Sequence, residues 1–390
     1  MKLHHGLHLA YCTNVHRGES WAETFRALET YALAVRAQVC PQKPFAIGLR
    51  LSERAAVDLS EGDALLQFQR WLEKHGCYVF TINGFPYGNF HGARVKEKVY
   101  QPDWTSPERV AYTNLLFDLL AQLLPAGIEG SVSTLPGTFK EFHPNAAALR
   151  TIRQNLWRTV EHIAHVSRQT GRTLHLGLEP EPLCLLESSA ETIHFFDHLR
   201  AEHPRDPRLD AHLGVNYDTC HFAVEFEEPH HALPSLIHHG IKISKIHLSS
   251  ALKVAPTPAA REELKKFADD VYLHQVVERD ATGARKIYRD LPDALAAFPN
   301  SHLPSANSEW RIHFHVPLHA PAAPPFANTN DHLLGVLDLL QTNPQLCTHL
   351  EMETYTWEVL PPELKTQNVV DQLAAEYNWT LAQLTARGLA

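Results

Sequence analysis

Cysteine is sparse and unpaired in this chain: six residues, from Cys12 to Cys347, with no CxxC. That spacing excludes a zinc knuckle and a disulfide-stapled scaffold, and it fits a reducing cytoplasm. Glycine fingerprints are missing too. The segment after the first apolar run, Tyr11-Cys-Thr-Asn-Val-His16, holds no GxGxxG, and GxxxxGK[ST] occurs nowhere. Both common nucleotide-binding signatures are therefore excluded. Long apolar runs are absent as well: Leu115–Leu124 comes closest and Asp118 breaks it, far short of the ~18 residues of a membrane helix. The opening MKLHHGLHLAYC lacks the charged-then-apolar order of a secretory signal, so the expectation is a cytoplasmic protein with no membrane insertion. Cations are outnumbered, Lys+Arg 35 against Asp+Glu 44, for a formal charge of −9. That excess argues against a broad nucleic-acid footprint, and a small molecule is the expected partner.

What is present is ordinary globular composition, 44% hydrophobic, with an extraordinary 27 histidines. Short apolar runs alternate with amphipathic stretches. Candidate strands are Leu7–Cys12, Phe45–Leu51, Cys77–Asn83, Ile128–Thr134, Thr173–Glu179, His212–Asp218, Ile241–Leu248 and Thr348–Glu353. The helical stretches between them carry readable starts and stops. Ser20 with Glu23 and Ser188 with Glu191 read as capping boxes, and Ser60 with Asp63 as a weaker one. Ser106-Pro107 places proline where its missing N–H is harmless. Gly171 and Gly240 read as helix stops. Eight strands alternating with helices predict an α/β fold, a (β/α)8 TIM barrel.

One gap breaks the rhythm. Roughly a hundred residues separate the seventh strand from the eighth, far beyond an ordinary connection. Within it lie strand-like runs at Val271–Glu278 and Trp310–Val316 and a Pro/Ala-rich stretch, Pro317–Phe326. The expectation is one domain over 1–390, with 255–325 inserted over the C-terminal face of the barrel rather than folded as a separate domain.

Strand C-termini of a parallel barrel converge on one axial pocket. Here the last four strands end in Glu179, Asp218, His247 and Glu353. One acidic residue at a strand end serves equally as a helix cap. Four ligand-type residues on consecutive strands exceed what capping requires. Three carboxylates and an imidazole suit one divalent ion, Mn²⁺, Mg²⁺, Co²⁺ or Zn²⁺. Glu181 and Glu351 are the neighbours most easily confused with Glu179 and Glu353. Strand alternation puts Glu351 and Glu353 on one face, and the later residue is chosen because the site lies at the strand's C-terminal end.

Tyr217-Asp218-Thr219-Cys220-His221-Phe222-Ala223-Val224-Glu225 resembles the DT-x-H-x-x-x-E element of sugar epimerases in the xylose isomerase-like TIM-barrel superfamily. The resemblance implies that Asp218 binds metal and His221 contacts substrate. It implies that His247 is a ligand, with Lys253 where these epimerases usually carry Arg. It also implies that Glu179 and Glu353 double as the catalytic acid/base pair of an isomerase or epimerase acting on a carbonyl or polyol-like metabolite. Tyr11–His16, Leu178–Pro182, Tyr272–Gln275, His313–Pro317 and Glu353–Trp357 further resemble the metabolite-traffic protein E branch (EboE) of that superfamily, which implies a part in making or exporting a small metabolite.

His313 and His315 alternate on one face of their run. A related pair binds extra zinc in endonuclease IV, a more distant resemblance. A second metal using His221 and His315 and a substrate-binding role for the histidines stand as alternatives, as do a multi-metal phosphoesterase and a non-catalytic binding barrel for the whole chain. Asn83–His91 is expected to wall the pocket or pack as a loop, Arg94–Lys98 to be a solvated face, and Trp310 to be packing.

Overall fold

The computed structural model describes residues 1–91, 94–298, 308–321, 323–362, 365 and 368–390. Seven parallel strands come first: His8–Cys12 (β1), Phe45–Arg50 (β2), Cys77–Asn83 (β3), Gly130–Thr134 (β4), Leu174–Leu178 (β5), Leu213–Asp218 (β6) and Lys242–Leu248 (β7). Five more strands follow: Ala251–Val254 (β8), Val276–Arg279 (β9), Arg285–Tyr288 (β10), Glu309–His315 (β11) and Phe326–Asn328 (β12). His349–Met352 (β13) then closes the barrel between β7 and β1, in the order β1-β13-β7-β6-β5-β4-β3-β2. The fold is a (β/α)8 barrel. These strands are buried along nearly their whole length, because helices cover the outside and side chains fill the inside.

Local signals acted mostly as read. Ser20 and Glu23 form the full capping box. Gly171 and Gly240 sit at φ +69°, the left-handed stop that glycine adopts without strain. Two caps differ. Ser188 accepts the Glu191 N–H, but the Glu191 carboxylate takes the N–H of Glu187 instead of returning to Ser188. Ser60 ends the helix Glu53–Ser60, which Ser52 caps, so no box forms with Asp63. Among the described residues no helix is long and apolar enough to cross a membrane.

The insertion is a five-stranded sheet, ordered β10-β9-β11-β8-β12, whose neighbouring strands all run antiparallel. Its strands reach from Ala251 to Asn328, wider than the 255–325 expected. The segment carries an apolar cluster that includes Phe267, Leu291, Trp310, Ile312 and Phe314, which Leu360 joins from beyond β13. It thus packs a small core, and its Tyr272, Leu273 and His313 line one pocket together with Glu179 and Glu353. Several contacts with the loop after β3 tie it down, two of them through side chains buried at the junction. His91 Nδ1 lies 2.6 Å from the Tyr272 hydroxyl, and Lys96 forms a 2.6 Å ion pair with Asp290. Arg94 and Lys98 are exposed, as expected of a solvated face, but Lys96 is only 6% exposed and departs from that reading. A lysine with an acidic partner on an overlying element is buried by that element.

Candidate metal centre and pocket

Asp218 ends β6 beside His247 in register on β7, and His247 pairs in turn with Glu351 on β13. Glu179 and Glu353 stand one residue beyond β5 and β13. The barrel's tilt draws these ends together. His247 Nδ1 lies 2.9 Å from Glu179 Oε1, 2.9 Å from Glu353 Oε2 and 3.5 Å from Asp218 Oδ2. One donor atom from each of the four residues falls within 4.8 Å of the others, and all four are buried.

The surrounding hydrogen bonds orient the set. Asp218 Oδ1 accepts from the N–H groups of Cys220 (2.7 Å) and His221 (3.0 Å) and from the Ser249 hydroxyl (2.6 Å). Its Oδ2 is buried with no hydrogen-bond partner. Asp218 is therefore a helix cap through one oxygen and a free donor through the other. Asn14 Nδ2 donates to Glu353 Oε1 at 2.5 Å. Beneath the set, Glu351 accepts from Lys245 (2.7 Å), from Asn83 (2.8 Å) and from His247 Nε2 (3.2 Å). With Nε2–H donated downward to Glu351, Nδ1 faces the carboxylates as a protonated donor; exchanged for an ion, that proton would leave a lone pair aimed at the same point, the arrangement that metal-bound imidazoles use.

Charge follows the geometry. Burial works against ionisation of Glu179 and Asp218, yet nearby histidines outweigh it and hold both carboxyls below their ordinary values. Burial likewise disfavours charged His247, but Glu353, Glu179 and Asp218 pull its pKa well above the usual value. Glu351, desolvated but paired with Lys245, is held down to about 2. Crowded acids that share one imidazole want positive charge, and a divalent ion supplies it.

The pocket opens above this layer. Glu179, Glu181, Glu353, His221, His313 and Asn14 line it, and Phe85, Phe90, Tyr100 and Tyr355 wall it, so Asn83–His91 supplies pocket wall. His221 donates through Nδ1 to the Pro180 carbonyl (3.0 Å). His313 Nδ1 lies 2.8 Å from Gln275 Oε1, and His315 donates to the Glu353 carbonyl (3.0 Å). Two further sets of donor atoms gather within 4.8 Å: Asp218, His221 and His315, and Cys220, His313 and His315. Lys253 is the exception. It pairs with Asp331 at 2.8 Å on the outer face of the insertion and does not line the pocket. It sits on β8, in register with Arg311 and Ala327, and not at a barrel strand end, so its spacing from His247 has no meaning in space. Trp310 is fully buried in the insertion's cluster; it packs.

Several residues at this site carried no role in the sequence reading: Asn14, Tyr100, Gln275 and Cys220. Asn14 follows β1 much as Glu179 follows β5, and that placement is the signal that could have found it. Tyr100 donates to Glu181 at 2.7 Å. It reaches the pocket from the loop after β3, a path no spacing rule reveals. Burial, the largest influence on Glu181, lifts its pKa to about 7.

The chain matches no protein-family model, and no curated protein is significantly similar to it. Solved structures do resemble it. One is a xylose isomerase-like TIM barrel protein from Mycobacterium smegmatis in complex with magnesium, at TM-score 0.53 and 13% identity over 99% of each chain. Another is an L-ribulose 3-epimerase, at TM-score 0.50 and 12% identity over 99% of this chain and 96% of that one. At such identity the likeness is one of fold, the (β/α)8 barrel that both neighbours share with this chain.

Proposed function

We propose that this protein is a metal-dependent isomerase or epimerase acting on a small carbonyl or polyol-like metabolite. The observation that carries the reading is the convergence of Glu179, Asp218, His247 and Glu353 from four successive barrel strands, with Asp218 Oδ2 buried and unpartnered. These four would hold one divalent ion, Mn²⁺, Mg²⁺, Co²⁺ or Zn²⁺. Bound there, the ion would supply Lewis-acid polarisation of a substrate carbonyl. The protein's own groups do the rest. Glu179 and Glu353 flank His247 and act as the proton acceptor and donor at the carbon beside the carbonyl. Asn14 fixes the Glu353 carboxylate, His221 meets a substrate oxygen at the rim, and the aromatic wall excludes water. The epimerase and magnesium-bound neighbours support the reading; a part in making or exporting a small metabolite is the finer form of the proposal and rests on the sequence resemblance alone.

A multi-metal phosphoesterase is less well supported. The lining holds several acids, and its single lysine, Lys96, is spent on Asp290, so no basic track greets a phosphate backbone. The test is solvent-deuterium exchange into a panel of ketoses and keto-acids, alongside metal analysis. Turnover requires the ion, and Asp218→Asn loses both ion and exchange. An ion-binding protein that exchanges no proton with any panel member is a binding barrel, and the catalytic reading falls.

A further inference from the structure

We infer that Cys220, His313 and His315 form a second cation site, for a soft divalent ion of the Zn²⁺ type, that pins the insertion sheet to the barrel. The site shares no residue with the Glu179 set, and the inference does not depend on the catalytic reading. Cys220 lies in the helix Thr219–Val224 directly after β6, whereas both histidines lie on β11 of the insertion. One donor atom of each falls within 4.8 Å of the other two. Cys220 and His315 are fully buried and His313 is 3% exposed.

The tautomers decide the chemistry. Gln275 Nε2 donates to the Pro182 carbonyl at 3.2 Å, a group that can only accept, so Gln275 Oε1 must face His313. His313 Nδ1 therefore carries its hydrogen and donates it to that oxygen. His315 Nδ1 donates to the Glu353 carbonyl. Both Nε2 atoms are left as lone-pair donors, and both are buried with no hydrogen-bond partner. Two bare imidazole nitrogens beside one thiol call for an electrophile. Sulfur and nitrogen donors favour Zn²⁺ over Mg²⁺ or Mn²⁺. Binding forms one S–metal and two N–metal bonds and releases the Cys220 proton to solvent. Both unpartnered imidazole nitrogens belong to this set, whereas the alternative of Asp218, His221 and His315 uses only one of them.

Cobalt titration of the purified full chain tests this. Co²⁺ should bind at two equivalents and give a thiolate-to-cobalt charge-transfer band. Cys220→Ser should lose the band and one equivalent; Glu179→Gln should lose the other equivalent and keep the band. Two equivalents without a band would put the second ion on Asp218, His221 and His315 and overturn the proposal. One equivalent without a band, or a band that survives Cys220→Ser, would overturn it equally. Should Cys220→Ser fail to fold, loss of the band in His315→Ala supports the site, and its persistence refutes it.

Discussion

Glu351 and Glu353 are two residues apart on one strand and face the same way, yet their neighbours give them different work. Glu351 meets Lys245 in a pair that is 0% and 1% exposed, whereas Glu353 faces the pocket. Space for Glu351 comes from Gly48: a Cβ there would stand 1.8 Å from Glu351 Oε1. Gly48→Ala should therefore displace the carboxylate from Lys245 and His247 and cost about 1–3 kcal/mol, as overpacked cores do; thermal unfolding reads it. Lys245→Ala leaves Glu351 buried without its cation partner, held only by Asn83 and His247, at a cost of about 3–5 kcal/mol. Lys253→Ala, breaking an exposed pair, should cost no more than about 1 kcal/mol. Equal losses from the two lysines would refute this account of the layer. Glu353→Gln should leave stability nearly intact and slow proton exchange roughly 10²–10⁴-fold, the span of a lost acid/base group.

At the level of elements, the barrel strands were legible because each is a short apolar run buried on both faces. Cys77–Asn83 matches to the residue, and the others end within one or two residues of expectation. The insertion was not legible in the same way. Its sheet joins β8 to β11 across more than fifty residues, and its apolar positions look no different from those of a loop that packs on a barrel. Docking draws on Lys96–Asp290 and His91–Tyr272, beside backbone bonds from Val95 and Lys96 to Val271, all reaching back to the loop after β3. Lys96→Met should raise amide exchange in β9 and β10 several-fold while β4 to β6 stay protected. Uniform protection across both sheets would show that the Lys96 pair is not needed to hold the insertion.

For the molecule as a whole, the histidine excess sets the response to acid. His8 and His349 pair in register at the base of the barrel, with His175 beside His349. Burial pulls His8 and His175 down to about 4 and His349 well below its usual value. Six other described histidines shift downward with desolvation as the leading cause. Between about pH 6.5 and 4 the unfolded chain binds protons there that the folded one refuses, so stability falls as pH falls. Buried Glu181, Glu225 and Glu376 and half-buried Glu227 oppose this, because their raised values favour the protonated folded state. The histidines outnumber them, and the net sign is acid lability. Thermal midpoints should drop steadily from pH 6.5 to 4.5, and a flat profile would contradict it.

Periodicity and strand-end chemistry were enough to read eight parallel strands, their order along the chain and the four residues that meet at their C-termini. Both properties are local, and the barrel's closure translates sequence order directly into position around an axis. The tertiary structure alone settled which of two like-facing glutamates is neutralised, that Asp218 keeps one oxygen free, and that Lys253 points away. It alone brought Cys220 to His313 and His315. Those outcomes depend on contacts between segments tens to hundreds of residues apart, through an insertion that packs a small core, and no spacing rule reaches across such a path.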